Sequence, residues 1–244
     1  MKMNGTPHQR EILNLIKQNA GTPTQHTFSD SYLGNSHFRY PISVPEMRKI
    51  AKDWMGTHRN LSAAEVSRLL TSLITGESGT EKSMAGIILD NTTSAQRKFD
   101  PEIFEAWLDH LVGWAEVDSL CTGSYSVTEI PTDWKRWKKL LIRFSKSKNI
   151  NTRRASIVFL CAPLRKSKDR ELIDLALENI DRLKGEKDVL ITKAISWVLR
   201  SAIPAQKQIV KKYLDLNKES LPKIAVRETL VKLKTGKKTK SKPK

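Results

Sequence analysis

The most constraining feature of this sequence is an unbroken succession of helix starts and stops with no strand pattern between them. Thr6-Pro7 supplies a capping hydroxyl and a first-turn proline ahead of Ile12, Leu13, Leu15 and Ile16. Pro45 opens a second helical pattern that runs to about Trp54. Ser62-Ala63-Ala64-Glu65 has the spacing of a capping box and precedes Val66, Leu69, Leu70, Leu73 and Ile74. Thr80 begins a pattern with Met84, Ile87, Ile88 and Leu89, and Asp100-Pro101 begins one with Phe104, Trp107 and Leu108. Further on, Ile130-Pro131-Thr132 introduces a basic helix, Trp134 to Phe144. Asn151-Thr152 caps the run from Arg153 to Cys161, which Pro163 stops. Asp169 to Leu183, Asp188 to Ala202, Pro204 to Leu216 and Pro222 to Leu233 complete the series. No stretch sustains period-two alternation, so no sheet is expected.

Paired helices recurring at roughly 35–45 residues point to an all-α, HEAT-like helical repeat solenoid, a curved stack of antiparallel helix pairs. Residues 1–234 read as a single domain of this kind. Residues 235–244, Thr-Gly-Lys-Lys-Thr-Lys-Ser-Lys-Pro-Lys, lack apolar side chains and read as a disordered Lys-rich tail.

Charge narrows the partners. Lys and Arg number 43 against 26 Asp and Glu, a formal net charge of +17 in 244 residues. A field of that sign favours a polyanion, above all nucleic acid. No run approaches the roughly 18 apolar residues of a membrane span, and the polar start has no signal-peptide core. Two cysteines, Cys121 and Cys161, make no disulfide framework or zinc spacing and suit a reducing compartment. The five histidines are scattered and form no close ligand pair in the sequence, so neither a metal nor a cofactor is expected.

The stretch with chemistry in it is Leu111 to Leu120. Trp114 and Asp118 stand at i and i+4, one turn apart on one helix face. An indole wall beside a carboxylate suits a cation that forms during a reaction. The same spacing also suits a core tryptophan with a solvated neighbour, and spacing alone does not choose between them.

Four ordered motifs then carry a resemblance. They are Tyr32 with the downstream Val44-Pro45-Glu46-Met47-Arg48; Trp114-Ala115-Glu116-Val117-Asp118-Ser119; Arg153-Arg154-Ala155-Ser156-Ile157; and Lys193-Ala194-Ile195-Ser196-Trp197-Val198-Leu199-Arg200. In this order, in a basic helical chain, they resemble the AlkD-like family of DNA alkylation repair glycosylases, which are HEAT-repeat proteins. The resemblance covers nearly all of residues 10–234. It implies a catalytic acid at Asp118, aromatic walls at Trp114 and Trp197, and a cleft arginine at Arg154, with Arg153 the alternative. It further implies a cleft tyrosine at Tyr32 and a DNA-backbone contact at Arg48. Arg200, three residues beyond Trp197, is a candidate to share the cleft.

The expected function is hydrolysis of the N-glycosidic bond of cationic N3- or N7-alkylpurines in double-stranded DNA. The enzyme would be a monofunctional glycosylase that leaves an abasic site, needs no cofactor and acts as a monomer in a cytoplasmic, nucleoid-associated setting. Two rivals remain open: a non-catalytic HEAT-repeat protein that binds DNA or RNA, and a protein-binding scaffold, against which the charge and the aromatic residues count.

Overall fold

The computed structural model describes residues 6–22 and 37–237; among them every regular element is a helix. Contacts divide the chain into two compact units, one ending at Tyr125 and the other beginning at Ser126.

The first unit holds α1 (Pro7–Gln18), α2 (Val44–Thr57), α3 (Ala63–Ile74), α4 (Gly79–Asp90), α5 (Ile103–Leu108) and α6 (Gly113–Cys121). Local chemistry fixes most of their starts. Thr6 accepts the Gln9 N–H at 3.1 Å and Pro7 occupies the first turn. Ser62 and Glu65 close both bonds of the capping box before α3. The α4 start differs from the reading at Thr80: Ser78 is the cap, and Ser78 and Glu81 form a second, buried capping box. Glu81 also accepts the Gln9 side-chain amide at 3.1 Å, tying α1 to α4. The apolar faces then meet. Val66, Leu69, Leu70, Leu73 and Ile74 of α3 are fully buried, and each such side chain contributes about 1.5–3 kcal/mol of transfer free energy. α4 packs against α2, α3 and α6. It is buried on nearly every side, which explains why its apolar residues show little amphipathic pattern.

α7 (Ser124–Thr132) holds the boundary between the units, and it is a helix the sequence does not announce. Val127, Thr128 and Ile130 are β-branched and Pro131 lies inside its last turn. Propensity argues against a helix here. Packing overrides it: Tyr125 stacks on Phe99, and Asp90 accepts the Ser124 N–H at 2.5 Å.

The second unit holds α8 (Trp134–Ser145), α9 (Ile150–Val158), the single turn α10 (Cys161–Leu164), α11 (Arg170–Leu183), α12 (Val189–Asn217) and α13 (Lys223–Thr235). Two expectations are corrected. The α9 cap is Asn149, whose side chain accepts the Asn151 N–H at 2.8 Å; Asn151 and Thr152 lie within the helix and are buried. Two helical segments do follow one another here, as expected, but their junction is the non-helical Gln206, two residues beyond Pro204. We label the two segments together as α12, which bends at Gln206 (φ −130°, ψ 33°) and ends at Asn217. A proline removes one helical N–H and bends the helix without ending it when neighbours hold both arms. Here Gln206 reaches the carbonyls of Ser167 and Asp169, at 3.4 and 3.2 Å, and bridges the bend to the α11 start.

Trp54, Trp107 and Trp137 are core residues, as their place in apolar patterns suggests. Both cysteines are buried thiols. Among the described residues no helix is long and apolar enough to cross a membrane.

Candidate active site

α6 carries Trp114 and Asp118, and three features fix it in place. Gly113 begins the helix with φ +78°, a left-handed conformation that a side chain would strain. Glu116, fully buried, accepts the Val112 N–H at 2.9 Å, so it serves the helix start from within. His37 approaches the same carboxylate through Nδ1 at 3.0 Å. Third, α6 lies directly on the backbone of α4. A β-carbon at Gly86 would stand 2.1 Å from the Ser119 carbonyl oxygen and 2.3 Å from its carbonyl carbon. Ser119 completes the contact by donating its hydroxyl to the Ser83 carbonyl at 2.7 Å.

With that orientation set, Val117, Leu120 and Cys121 are buried, while Trp114 and Asp118 stay half-buried one turn apart. The Asp118 main-chain carbonyl accepts both the N–H and the hydroxyl of Thr122, at 3.1 and 2.6 Å, which closes the helix immediately after the acid.

Arg48 is exposed on α2, beside the equally exposed Lys52. Both open onto a recess of about 270 Å³ that Gly86, Asp90, Ser119 and Thr122 also line. The structure thus brings the predicted backbone contact Arg48 to the same recess as the residue that follows Asp118. Arg48 and Lys52 bring two cations there beside the Asp90 carboxylate, while the Ser119 and Thr122 hydroxyls are already donated to the Ser83 and Asp118 carbonyls. Tyr32 lies outside the described residues.

In the second unit the two candidate arginines separate by environment. Arg153 makes a two-point ion pair with Glu186, at 2.8 and 3.0 Å, and donates to the carbonyls of Ser147 and Lys148. Its guanidinium holds the α8–α9 connection together. Arg154 is buried and donates to the Leu190 carbonyl in the first turn of α12. Leu190 precedes Trp197 by seven residues, two turns along the same helix face. Trp197 itself is half-buried. Arg200 pairs with Glu228 at 3.2 Å and reaches Ser196, whose hydroxyl donates to the same carboxylate at 2.6 Å. Burial pulls the Arg200 guanidinium below its ordinary range, against the pull of Glu228.

The basic helix α8 sorts itself by contact. Trp137, Leu140, Leu141 and Phe144 point into the core. Lys138 is drawn to Glu171, which also accepts the Trp134 indole N–H. Lys135, Lys139 and Arg143 form an exposed row at i, i+4 and i+8.

Sequence reasoning overlooked Gly86, Glu116 and Lys52. An isolated glycine inside a helical pattern, as at Gly86, is a legible sign of close backbone approach. Nothing local marks Glu116 as buried. The scatter of histidines was misleading as well: His8 and His58 come together beside Glu11, the one group with metal-ligand geometry among the described residues.

The chain is thus an all-α protein of strongly basic charge that carries an acid and an indole on one short helix. The chain belongs to the DNA alkylation repair enzyme family, whose model matches residues 16–233. A solved structure described as a predicted DNA alkylation repair enzyme from Enterococcus faecalis shares the fold, with a TM-score of 0.69 at 16% identity over 96% of this chain and 99% of that one. No curated protein matches.

Proposed function

We propose that this protein is a monofunctional DNA glycosylase that removes cationic N3- or N7-alkylpurines from duplex DNA, with residues 1–234 acting as one repeat domain. The observation that carries the reading is the pairing of Trp114 and Asp118 on the outer face of a helix whose backbone is locked to α4. Alkylation leaves the base positively charged and already a good leaving group, so no general acid is needed. What remains is to stabilise the sugar as it becomes an oxocarbenium ion and to orient a water. A carboxylate serves both ends. At ~4 Å and an effective dielectric of ~20, one charge pair is worth about 4 kcal/mol, on the order of a thousandfold in rate.

Trp114 offers the cation a π face. The family pattern assigns the same service to Trp197 and phosphate binding to Arg154 and Arg48; Arg200, one turn beyond Trp197, is a further candidate. Glu186 holds Arg153 and the Leu190 carbonyl holds Arg154, so the choice of Arg154 over Arg153 rests on the family pattern. Among the described residues, the buried Lys82 donates to the Ile74 carbonyl at 2.6 Å. An amine so placed serves the fold; the product we propose, as in the family pattern, is an abasic site without strand cleavage.

The test is base release from a duplex carrying a single N7-methylguanine, by the wild type and by Asp118→Asn. The substitution removes charge at nearly constant shape. A rate lower by about a hundredfold or more, with duplex affinity retained, supports the electrostatic role. Equal rates would move the acid elsewhere. No release from this duplex, or from one with N3-methyladenine or a bulky adduct, would favour a non-catalytic DNA-binding protein.

A further inference from the structure

His8 and Glu11 stand at i and i+3 on α1, and His58 is the residue that ends α2. The fold brings these three together across 50 positions of sequence. Glu11 Oε2 lies 3.8 Å from Nδ1 of His8 and 3.9 Å from Nε2 of His58, and the three donor atoms all lie within 4.8 Å of one another.

The tautomer of His58 follows from its other nitrogen. Nδ1 lies 2.8 Å from the Trp54 carbonyl oxygen, which can only accept. The Thr57 hydroxyl, 3.0 Å from Nδ1, itself donates to that carbonyl, so a hydrogen on Nδ1 has acceptors on both sides and the Nε2 lone pair is the one that faces Glu11. A histidine whose far nitrogen donates to a backbone carbonyl, leaving its near lone pair aimed at a second donor, has the outer-sphere arrangement of a metal ligand. The ring is also held in plane: it stacks on Trp54 with centroids 3.8 Å apart and 12° between planes, and meets the His8 ring edge-on at 5.4 Å. Trp54 is buried, so the stack is anchored in the core.

The separations decide what belongs in the gap. At 3.8 and 3.9 Å, neither histidine is hydrogen-bonded to Glu11. Donors around a tetrahedral ion with bonds of about 2.0–2.1 Å stand some 3.4 Å apart. Closing these two gaps takes about half an ångström of side-chain motion, and the third separation, within 4.8 Å, closes by at most about 1.4 Å. Three donors of this type, partly exposed to solvent, leave room for a water as fourth ligand. The helix end adds its share, because the last carbonyls of α2 carry partial negative charge.

We propose that His8, Glu11 and His58 bind a divalent transition-metal ion, Zn²⁺ or an ion of like preference for two imidazoles and a carboxylate. Such an ion clamps α1 to α2, the helix that carries Arg48 and Lys52. The site is separate from Asp118 and does not depend on the glycosylase reading.

The experiment is a titration of untagged, chelator-stripped protein with Zn²⁺ by calorimetry and with Co²⁺ by visible absorption. The wild type is expected to take up one ion per chain, to show the d–d bands of nitrogen-coordinated Co²⁺, and to melt at higher temperature with Zn²⁺ present. His8→Ala and His58→Ala should each weaken binding by more than the roughly 10- to 100-fold that loss of an outer-sphere partner alone brings, whereas His110→Ala should bind like the wild type. His58→Ala also removes the Trp54 stack. If that variant does not fold, His8→Ala carries the test, with metal-free circular dichroism confirming its fold. No saturable binding by the wild type, or unchanged binding and an unchanged Zn²⁺-dependent melting shift in His8→Ala, overturns the proposal.

Discussion

Gly86 of α4 and Ser119 of α6 meet backbone to backbone, close enough that a methyl group at position 86 would overlap the Ser119 carbonyl. The contact sets the height and rotation of the turn bearing Asp118. Gly86→Ala is therefore expected to destabilise the protein by about 3 kcal/mol through overpacking. The sign is diagnostic. In an open helix the same change stabilises by about 1 kcal/mol. Urea unfolding of the two proteins measures the difference, and a gain in stability would show that α6 can move away without cost.

The aromatic walls are expected to act on charge. A cation–π contact is worth about 0.5–2 kcal/mol, so Trp114→Leu and Trp197→Leu should each slow release of N7-methylguanine by about 2- to 30-fold. Undamaged duplex carries no cationic base, and its affinity should change little. Single-turnover release and a binding isotherm on unmodified DNA, measured together, check this.

Lys135 and Lys139 form part of the exposed row on α8, whereas Lys138 is near Glu171. Replacing Lys135 and Lys139 together by Gln should lower the slope of log affinity against log salt by about 2, since each phosphate a lysine neutralises adds about 0.9 to it. Lys138→Gln should change it less. Fluorescence anisotropy with a short duplex at several salt concentrations reads both.

Tyr213 gives a pH dependence of definite sign. Its hydroxyl donates to Asp181 at 2.8 Å, and burial first, then this bond, push its pKa far above the ordinary tyrosine value. In the unfolded chain the phenol ionises near ~10. The stabilisation is thus complete below about pH 10 and is lost as pH rises beyond it. Tyr213→Phe should lower stability at neutral pH by about 1.5–3 kcal/mol, the range for a hydrogen bond to a charged acceptor, and should flatten the decline above about pH 10. Denaturant unfolding between about pH 8 and 11 follows both effects.

What the sequence made legible was what neighbours along the chain decide. Thr6-Pro7 and the Ser62–Glu65 box are local chemistry, and both stand as read. Trp114 and Asp118 share a face because i and i+4 always do in a helix. The reading failed where distant residues decide. α7 forms against its own propensities because Phe99 and Asp90 hold its first turn. Asn149 rather than Asn151 caps α9, a shift of two residues between nearby candidates of the same type. Arg153 and Arg154 are equivalent in sequence and differ only once Glu186 and the Leu190 carbonyl arrive from elsewhere. His8 and His58 are strangers until α1 and α2 pack.

The bend at Gln206 divides α12 in a way its continuous hydrogen-bonded run conceals. Trp197 and Arg200 lie on one arm and Tyr213 on the other, and 16 residues of helix span about 24 Å. Pro204 interrupts the ladder between them, and Gln206 ties the joint to the α11 start. The two arms are therefore separate helical segments hinged at one residue that is itself tied to a neighbouring helix start. Substitutions at Trp197 and at Tyr213, far beyond the roughly 7–10 Å within which neighbours couple, should therefore combine additively in their effect on stability.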